Sequence, residues 1–162
     1  MAEEKILICS KLLAKKGLTI AFAESATAGW LCSEFALAPE SGQVLKGGIV
    51  CYDATLKEDI LHVPHELIKT YTPESKEVTE ELAKRLASVI RSDIQVGVTG
   101  LTGPGGSETE EKPVGTMFIS AQIEGRLINS RKVFTGSCED IIHATVRSAA
   151  QLLIDELSER ET

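Results

Sequence analysis

The chain is expected to fold as a single α/β domain on one mixed sheet. Three observations carry that expectation. Helical and strand patterns alternate from end to end, no repeat or Pro/Ser-rich linker divides the 162 residues, and two strand-like runs near the C-terminus flank Glu124-Gly125-Arg126. That tripeptide is a hairpin signal, so at least one strand runs antiparallel to its neighbour. A length of 162 residues suits one sizeable core, and 43% hydrophobic with 25% charged residues is the balance of a globular chain.

The first helix is predicted from about Glu3 to Lys16, with Ile6, Cys9 and Leu13 on one face and Gly17 as a left-handed cap. Leu18 to Ala23 follows as a strand, Thr27 to Leu37 as a helix, and Lys46 to Tyr52 as a second strand beyond a loop through Pro39 and Gly42. A short helix is expected over Leu56 to Leu61. From Pro73 to Arg91 the period is helical, with Val78, Leu82, Leu86 and Val89 recurring at spacings of three and four, Glu80-Lys84 and Glu81-Arg85 pairs outside, and Thr72 and Pro73 at N-cap and N1. Ile94 to Val98 is an apolar central strand, Gly100 to Glu111 a loop, and Thr116 to Ile123 and Leu127 to Phe134 the hairpin strands. Ser137 with Asp140 forms a capping-box variant that opens the last helix, whose stripe is Ile142, Val146, Ala149, Leu153 and Leu157.

Seventeen Lys+Arg against twenty-four Asp+Glu give a net charge of -7, the wrong sign for a chain that follows a phosphate backbone. With 4% aromatic residues, stacking platforms for single strands are scarce as well. Nucleic acid is therefore not an expected partner, and small ligands are. No apolar run reaches the ~18 residues of a membrane span, and Met1-Ala2-Glu3-Glu4-Lys5 has no signal-peptide pattern, so a cytoplasmic location is expected. Cys9, Cys32, Cys51 and Cys138 show no C-x-x-C pairing and are expected as reduced thiols.

In an open α/β sheet, ligands bind beyond the carboxyl ends of parallel strands, where helix N-termini point inward. Three predicted strand ends carry candidate residues: Glu24-Ser25-Ala26-Thr27-Ala28-Gly29, Tyr52 with Lys57 five residues on, and Thr99-Gly100-Leu101-Thr102-Gly103-Pro104-Gly105-Gly106. Ser25 alone reads either as a helix N-cap or as a nucleophile beside oxyanion-binding amides near Thr27. Lys57 is either a solvated lysine or, desolvated in a crevice, a base for that serine, with the Tyr52 hydroxyl orienting it or the substrate. The glycine-rich loop lacks the Gly-Lys-Ser/Thr of a P-loop and leads into a strand, which also excludes a dinucleotide fingerprint. A mobile surface turn or a nest of amides for an anion or flat ring remains. His62 and His65 are separated by Pro64 and have no third ligand, so no metal site is expected, and Cys138 has Glu139 and Asp140 beside it to oppose a thiolate.

Together, A-E-S-A-T-A-G at 23–29, G-G-I-V-C-Y-D-A-T-L-K at 47–57, V-T-G-L-T-G-P-G-G at 98–106, K-P-V-G-T at 112–116 and F-T-G at 134–136 resemble the CinA C-terminal-domain family, the nicotinamide-nucleotide amidohydrolases. The similarity spans nearly the whole chain in order, implying a single domain over 1–162. The resemblance implies a three-layer α/β/α sandwich around a mixed five-stranded sheet with strand four reversed. It also implies hydrolysis of the carboxamide of nicotinamide mononucleotide to nicotinic acid mononucleotide and ammonia, without a cofactor, in pyridine nucleotide salvage. By motif match the catalytic set is Ser25, Tyr52, Lys57 and Thr99, with Ser25 as nucleophile and Lys57 as base, and Thr27, Gly29, Gly100, Thr102, Gly103, Gly105, Gly106 and Lys112 contact substrate. The larger CinA proteins carry a further N-terminal nucleotide-handling domain, so pyrophosphatase activity is not expected of 162 residues.

The departures lie in the motifs. Ala26 and Ala28 replace the family's cysteine and glycine, and in the family pattern D-R-x-x-V-R after F-S-G the aspartate and both arginines are here Ser137, Cys138 and Ile142. The loop from Pro104 to Lys112 differs in spacing and is acidic through Glu108, Glu110 and Glu111. These losses motivate an alternative function, a catalytically impaired paralogue that binds a nucleotide or a partner. Among Lys46, Lys112, Arg131 and Lys132, Lys112 is expected to replace the lost arginine at the phosphate, within a homodimer of the kind the family forms.

Overall fold

The computed structural model describes residues 3–159; Met1 and Ala2 of the leader argument, and 160–162 of the expected domain, lie outside the described residues. The elements run α1 (Glu4–Lys16), β1 (Ile20–Glu24), α2 (Trp30–Ala36), α3 (Ser41–Val44), β2 (Leu45–Val50), α4 (Ala54–Asp59), α5 (His65–Tyr71), α6 (Lys76–Leu86), β3 (Ile94–Gly100), β4 (Thr116–Ile123), β5 (Arg126–Val133) and α7 (Cys138–Glu159). The sheet order is β2-β1-β3-β4-β5. β1 pairs in parallel with β2 and β3, whereas β4 is antiparallel to both β3 and β5, so strand four is the reversed one. The hairpin lies where expected, but its turn is two residues and not three: Glu124 (φ 52°) and Gly125 (φ 75°) both take positive φ, a twist that suits the flanking strands, and Arg126 already pairs with Ile123 as the first residue of β5.

Alternation along the central strands sorts side chains into two cores. Ile20 and Phe22 of β1 join Leu13, Phe35, Val146 and Leu153 under α1, α2 and α7, while Ala21 and Ala23 face Val78, Leu82 and Leu86 of α6. The three layers follow. No helix among the described residues is long and apolar enough to cross a membrane.

Several boundaries differ from expectation for identifiable reasons. α1 ends at Gly17 in the left-handed region (φ 66°) as expected, and at the start of α7 Ser137 and Asp140 cap each other: Asp140 N–H donates to Ser137 Oγ (3.1 Å) and Ser137 N–H to Asp140 Oδ2 (2.8 Å). α2, however, starts at Trp30 instead of Thr27, because Ala28 (φ 48°) and Gly29 (φ 92°) are left-handed. α6 starts at Lys76 with Ser75, not Thr72, as N-cap; Ser75 Oγ accepts from Val78 N–H at 3.2 Å, and Thr72 closes α5 at φ 71°. Pro73 accordingly precedes the helix. On the outer face of α6, Arg85 meets Glu81 at 2.7 Å as expected, but Glu80 pairs with Lys76 (3.8 Å) and Lys84 with Glu81 (3.2 Å).

α6 lies close against β3 because position 97 has no side chain. A Cβ there would sit 2.5 Å from the Thr79 carbonyl oxygen and 3.1 Å from Ala83 N. Gly97→Ala should therefore push α6 off the sheet and cost about 1–3 kcal/mol, read as a lower urea midpoint. An unchanged midpoint would show that the helix gives way freely.

Candidate active site

Because β1, β2 and β3 are parallel, their carboxyl ends share one edge of the sheet, and the reversed β4 brings the loop before Thr116 to that edge. A cleft of about 420 Å³ opens there, with Ser25, Tyr52, Glu74 and Cys138 on its walls and the loop from Gly100 to Gly106 along one side. Neighbouring strands pin the end of β1. Ser25 N–H donates to the Val98 carbonyl (3.0 Å), and Cys51 N–H donates to the Glu24 carbonyl (2.8 Å).

Lys57 lies on α4, whose N-cap Asp53 accepts from Thr55 N–H at 2.8 Å. The lysine is 1% exposed, and its Nζ donates to Ser25 Oγ at 3.0 Å and to the Cys51 carbonyl at 2.8 Å. Burial pushes its pKa below the ordinary lysine value, against the opposing electrostatic pull of nearby Cys51, Glu74 and Asp53. A lysine so placed gives up its proton more readily than one in water, beside a hydroxyl it can deprotonate.

Ser25 is not a helix N-cap. The first turn of α2 is served by Glu24, a 1% exposed carboxylate that accepts from Leu31 N–H (2.8 Å), Cys32 N–H (3.0 Å) and Thr27 Oγ1 (2.7 Å). Burial raises its pKa while these donors, with Gly29 N–H, act to lower it. Glu24 stands in the sequence only as the first residue of the strand-one end, with no role of its own, although an acid closing an apolar strand is a visible signal. Ala28 N–H turns back to the Ser25 carbonyl (2.9 Å). The amides of Ala26 and Thr27, in the turn that follows the serine, are left without a protein acceptor among the described residues.

The cleft gathers Ser25, Lys57 beneath it, Tyr52, Gly100, Thr102, Gly103, Gly105 and Gly106 from the expected set. Tyr52 is 63% exposed and forms wall, making no hydrogen bond to Lys57. Besides Lys57, four expected residues do not line it. Thr99 is fully buried and its hydroxyl meets Thr79 Oγ1 at 2.8 Å; because Thr79 donates its own proton to the Ser75 carbonyl, Thr99 is the donor between them. The Thr27 hydroxyl is spent on Glu24, and Gly29 forms the turn into α2. Lys112 Nζ donates to Thr72 Oγ1 (2.6 Å), the Glu74 carbonyl (2.9 Å) and Ser107 Oγ (2.9 Å), fastening the glycine-rich loop to the α5–α6 connection. That loop is thus anchored, and it holds an anion of its own: Glu108 accepts from Gly105 N–H (2.7 Å) and Gly106 N–H (2.8 Å). Glu74, whose carboxylate accepts from Ser107 Oγ, is the acid on the cleft wall, and nothing in its local sequence marks it.

The geometry defines a class first: an α/β sandwich with a serine–lysine pair at the carboxyl edge of its parallel strands. The chain belongs to the CinA family, whose C-terminal domain it matches over residues 3–157. It is 40% identical over 128 residues to a CinA-like protein of Prochlorococcus marinus, covering 78% of this chain and 29% of that protein. It is 35% identical over 147 residues to a CinA-like protein of Desulfotalea psychrophila, covering 90% and 35%. The chain thus spans about a third of the length of these relatives. Among solved structures it resembles a CinA superfamily protein of Klebsiella pneumoniae, with a TM-score of 0.91, 25% identity and coverage of 96% and 97% of the two chains. A competence/damage inducible protein of Agrobacterium tumefaciens superposes with a TM-score of 0.88 at 27% identity, covering 98% of each chain.

Glu24→Gln tests how much the nucleophile turn depends on the buried carboxylate. The amide presents N–H groups where the neighbours are donors, leaving about 1–3 kcal/mol of unmade hydrogen bonding. A urea midpoint equal to the parent's would mean that the carboxylate contributes nothing to the turn.

Proposed function

We propose that the cleft hydrolyses a carboxamide of the pyridine nucleotide class to the carboxylate and ammonia, nicotinamide mononucleotide being the substrate the resemblance implies. The observation that carries this reading is the buried Lys57 Nζ at 3.0 Å from Ser25 Oγ. In the neutral state Lys57 still donates an N–H to the Cys51 carbonyl, and its lone pair faces the serine hydroxyl. Ser25 Oγ attacks the carboxamide carbon as its proton passes to Lys57 Nζ, and the oxyanion forms toward the free amides of Ala26 and Thr27. Collapse breaks the C–N bond, Lys57 returns its proton to the nitrogen, and ammonia leaves an acyl ester on Ser25. Water then attacks that ester and gives a proton to Lys57, the C–O bond breaks, and the proton returns to Ser25 Oγ with release of the carboxylate.

Ser25→Ala and Lys57→Ala should each lower ammonia release by roughly 10²-fold or more. Turnover equal to the parent's in either variant would remove the assigned role. A parent chain that binds the nucleotide with saturable heat yet releases no ammonia would favour the impaired-paralogue reading.

The pH dependence has a definite sign. Since the base is the neutral amine, kcat/KM should rise with pH and level off at a pKa below the ordinary 10.5 of lysine, the direction burial imposes. A rate that falls on raising the pH through that range would require a protonated Lys57 and a different mechanism. A homodimer is part of the same proposal, and light scattering at micromolar concentration should return twice the chain mass.

A further inference from the structure

Three devices can hold a phosphate in a cleft of this kind: a cationic side chain, a nest of backbone amides, or a helix N-terminus. In this chain the first is missing from the cleft walls, and carboxylates already stand at the other two. No lysine or arginine among the described residues lines the cleft walls; Lys57 lies beneath Ser25, and Lys112 is held by Thr72, the Glu74 carbonyl and Ser107. The amides of Gly105 and Gly106 already carry the Glu108 carboxylate. At the start of α7 the Ser137–Asp140 box closes on itself, and Glu139 and Asp140 add negative charge in the first turn, with Cys138 the residue presented to the cleft.

The same walls suit a cation. Glu74 brings a carboxylate into the lining, and the exposed ring of Tyr52 offers a face to a flat positive charge. We propose that the cleft selects a phosphate-free, cationic pyridinium carboxamide, the nucleoside in preference to its 5′-phosphate. This rests on the amide-hydrolysis reading above and moves its preferred substrate from the nucleotide to the nucleoside. The pyridinium charge is then matched by Glu74, and no dianion has to displace Glu108 from its nest or approach Glu139 and Asp140. The resulting discrimination is one of repulsion as much as attraction.

The test compares ammonia release by the purified full chain from nicotinamide riboside and from nicotinamide mononucleotide. The riboside should have the higher kcat/KM, by roughly tenfold or more at low salt, and the gap should narrow as salt is added. Cys138→Arg places a cation on the cleft wall and should shift the ratio toward the mononucleotide by roughly tenfold. Glu74→Gln should shift it the same way, because both compounds lose the attraction of the pyridinium while only the mononucleotide also loses a repulsion of its phosphate. A parent that prefers the mononucleotide, or treats the two alike, overturns the inference while leaving amide hydrolysis standing. Binding to Ser25→Ala, measured by calorimetry with both compounds, separates the two claims when turnover is absent. Tighter riboside binding there supports the charge selection although the hydrolase reading has failed; tighter mononucleotide binding, equal binding or no heat with either compound overturns it.

Discussion

The burial of Lys57 is the constraint around which the rest of the cleft is arranged. A lysine ammonium almost never occupies a fully buried position without a partner, because removing it from water costs several kcal/mol. Here its near neighbours at hydrogen-bond distance are a neutral hydroxyl and a neutral carbonyl, Ser25 Oγ and Cys51 O. These acceptors satisfy the nitrogen without fixing its charge, which leaves the proton mobile. The strand pairing that fixes Cys51 against Glu24 also fixes the distance from Lys57 to Ser25, so the sheet register is part of the chemistry.

The sequence makes some elements plain and hides others, and the division follows the range of the interactions. α1 with its Gly17 cap, the Ser137–Asp140 box and the hairpin around Glu124-Gly125 are local devices, and the structure shows them where the sequence placed them, the turn being one residue tighter. The start of α2 is set by Glu24, seven residues before Leu31 in the chain, and no propensity argument reaches that contact. The short helices α3 and α5 are absent from the sequence reading because four and seven residues give too little periodicity to detect.

The site divides in the same way. Ser25 and Lys57 are legible because chemistry and position agree at strand ends. Thr99 misleads, yet strand alternation contains the correction: it has the parity of Gly97, which faces α6, and opposite parity to Val98, which lies in the other core. Its hydroxyl therefore joins Thr79 in holding α6 to β3, a structural role beside the cleft floor. Lys112 misleads differently, since a lysine closing a glycine-rich loop looks like a phosphate contact until its partners on the α5–α6 connection are known.

Once Cys138 stands at the mouth of the cleft, the acidic loop and the missing cation belong to one electrostatic arrangement. An amide nest without an anion is a concentrated patch of positive potential, and Glu108 neutralises it from two residues away at little cost in chain entropy. Two short hydrogen bonds hold that carboxylate and keep its pKa below the usual range. A negative charge fixed next to the exposed Gly105 and Gly106 then repels other anions at close quarters, and salt screens that repulsion because the site faces solvent. Lys112, which could have offset it, instead draws Thr72, Ser107 and the Glu74 backbone together and so fixes the wall on which the Glu74 carboxylate stands. The cation thereby shapes the cleft and leaves its lining acidic.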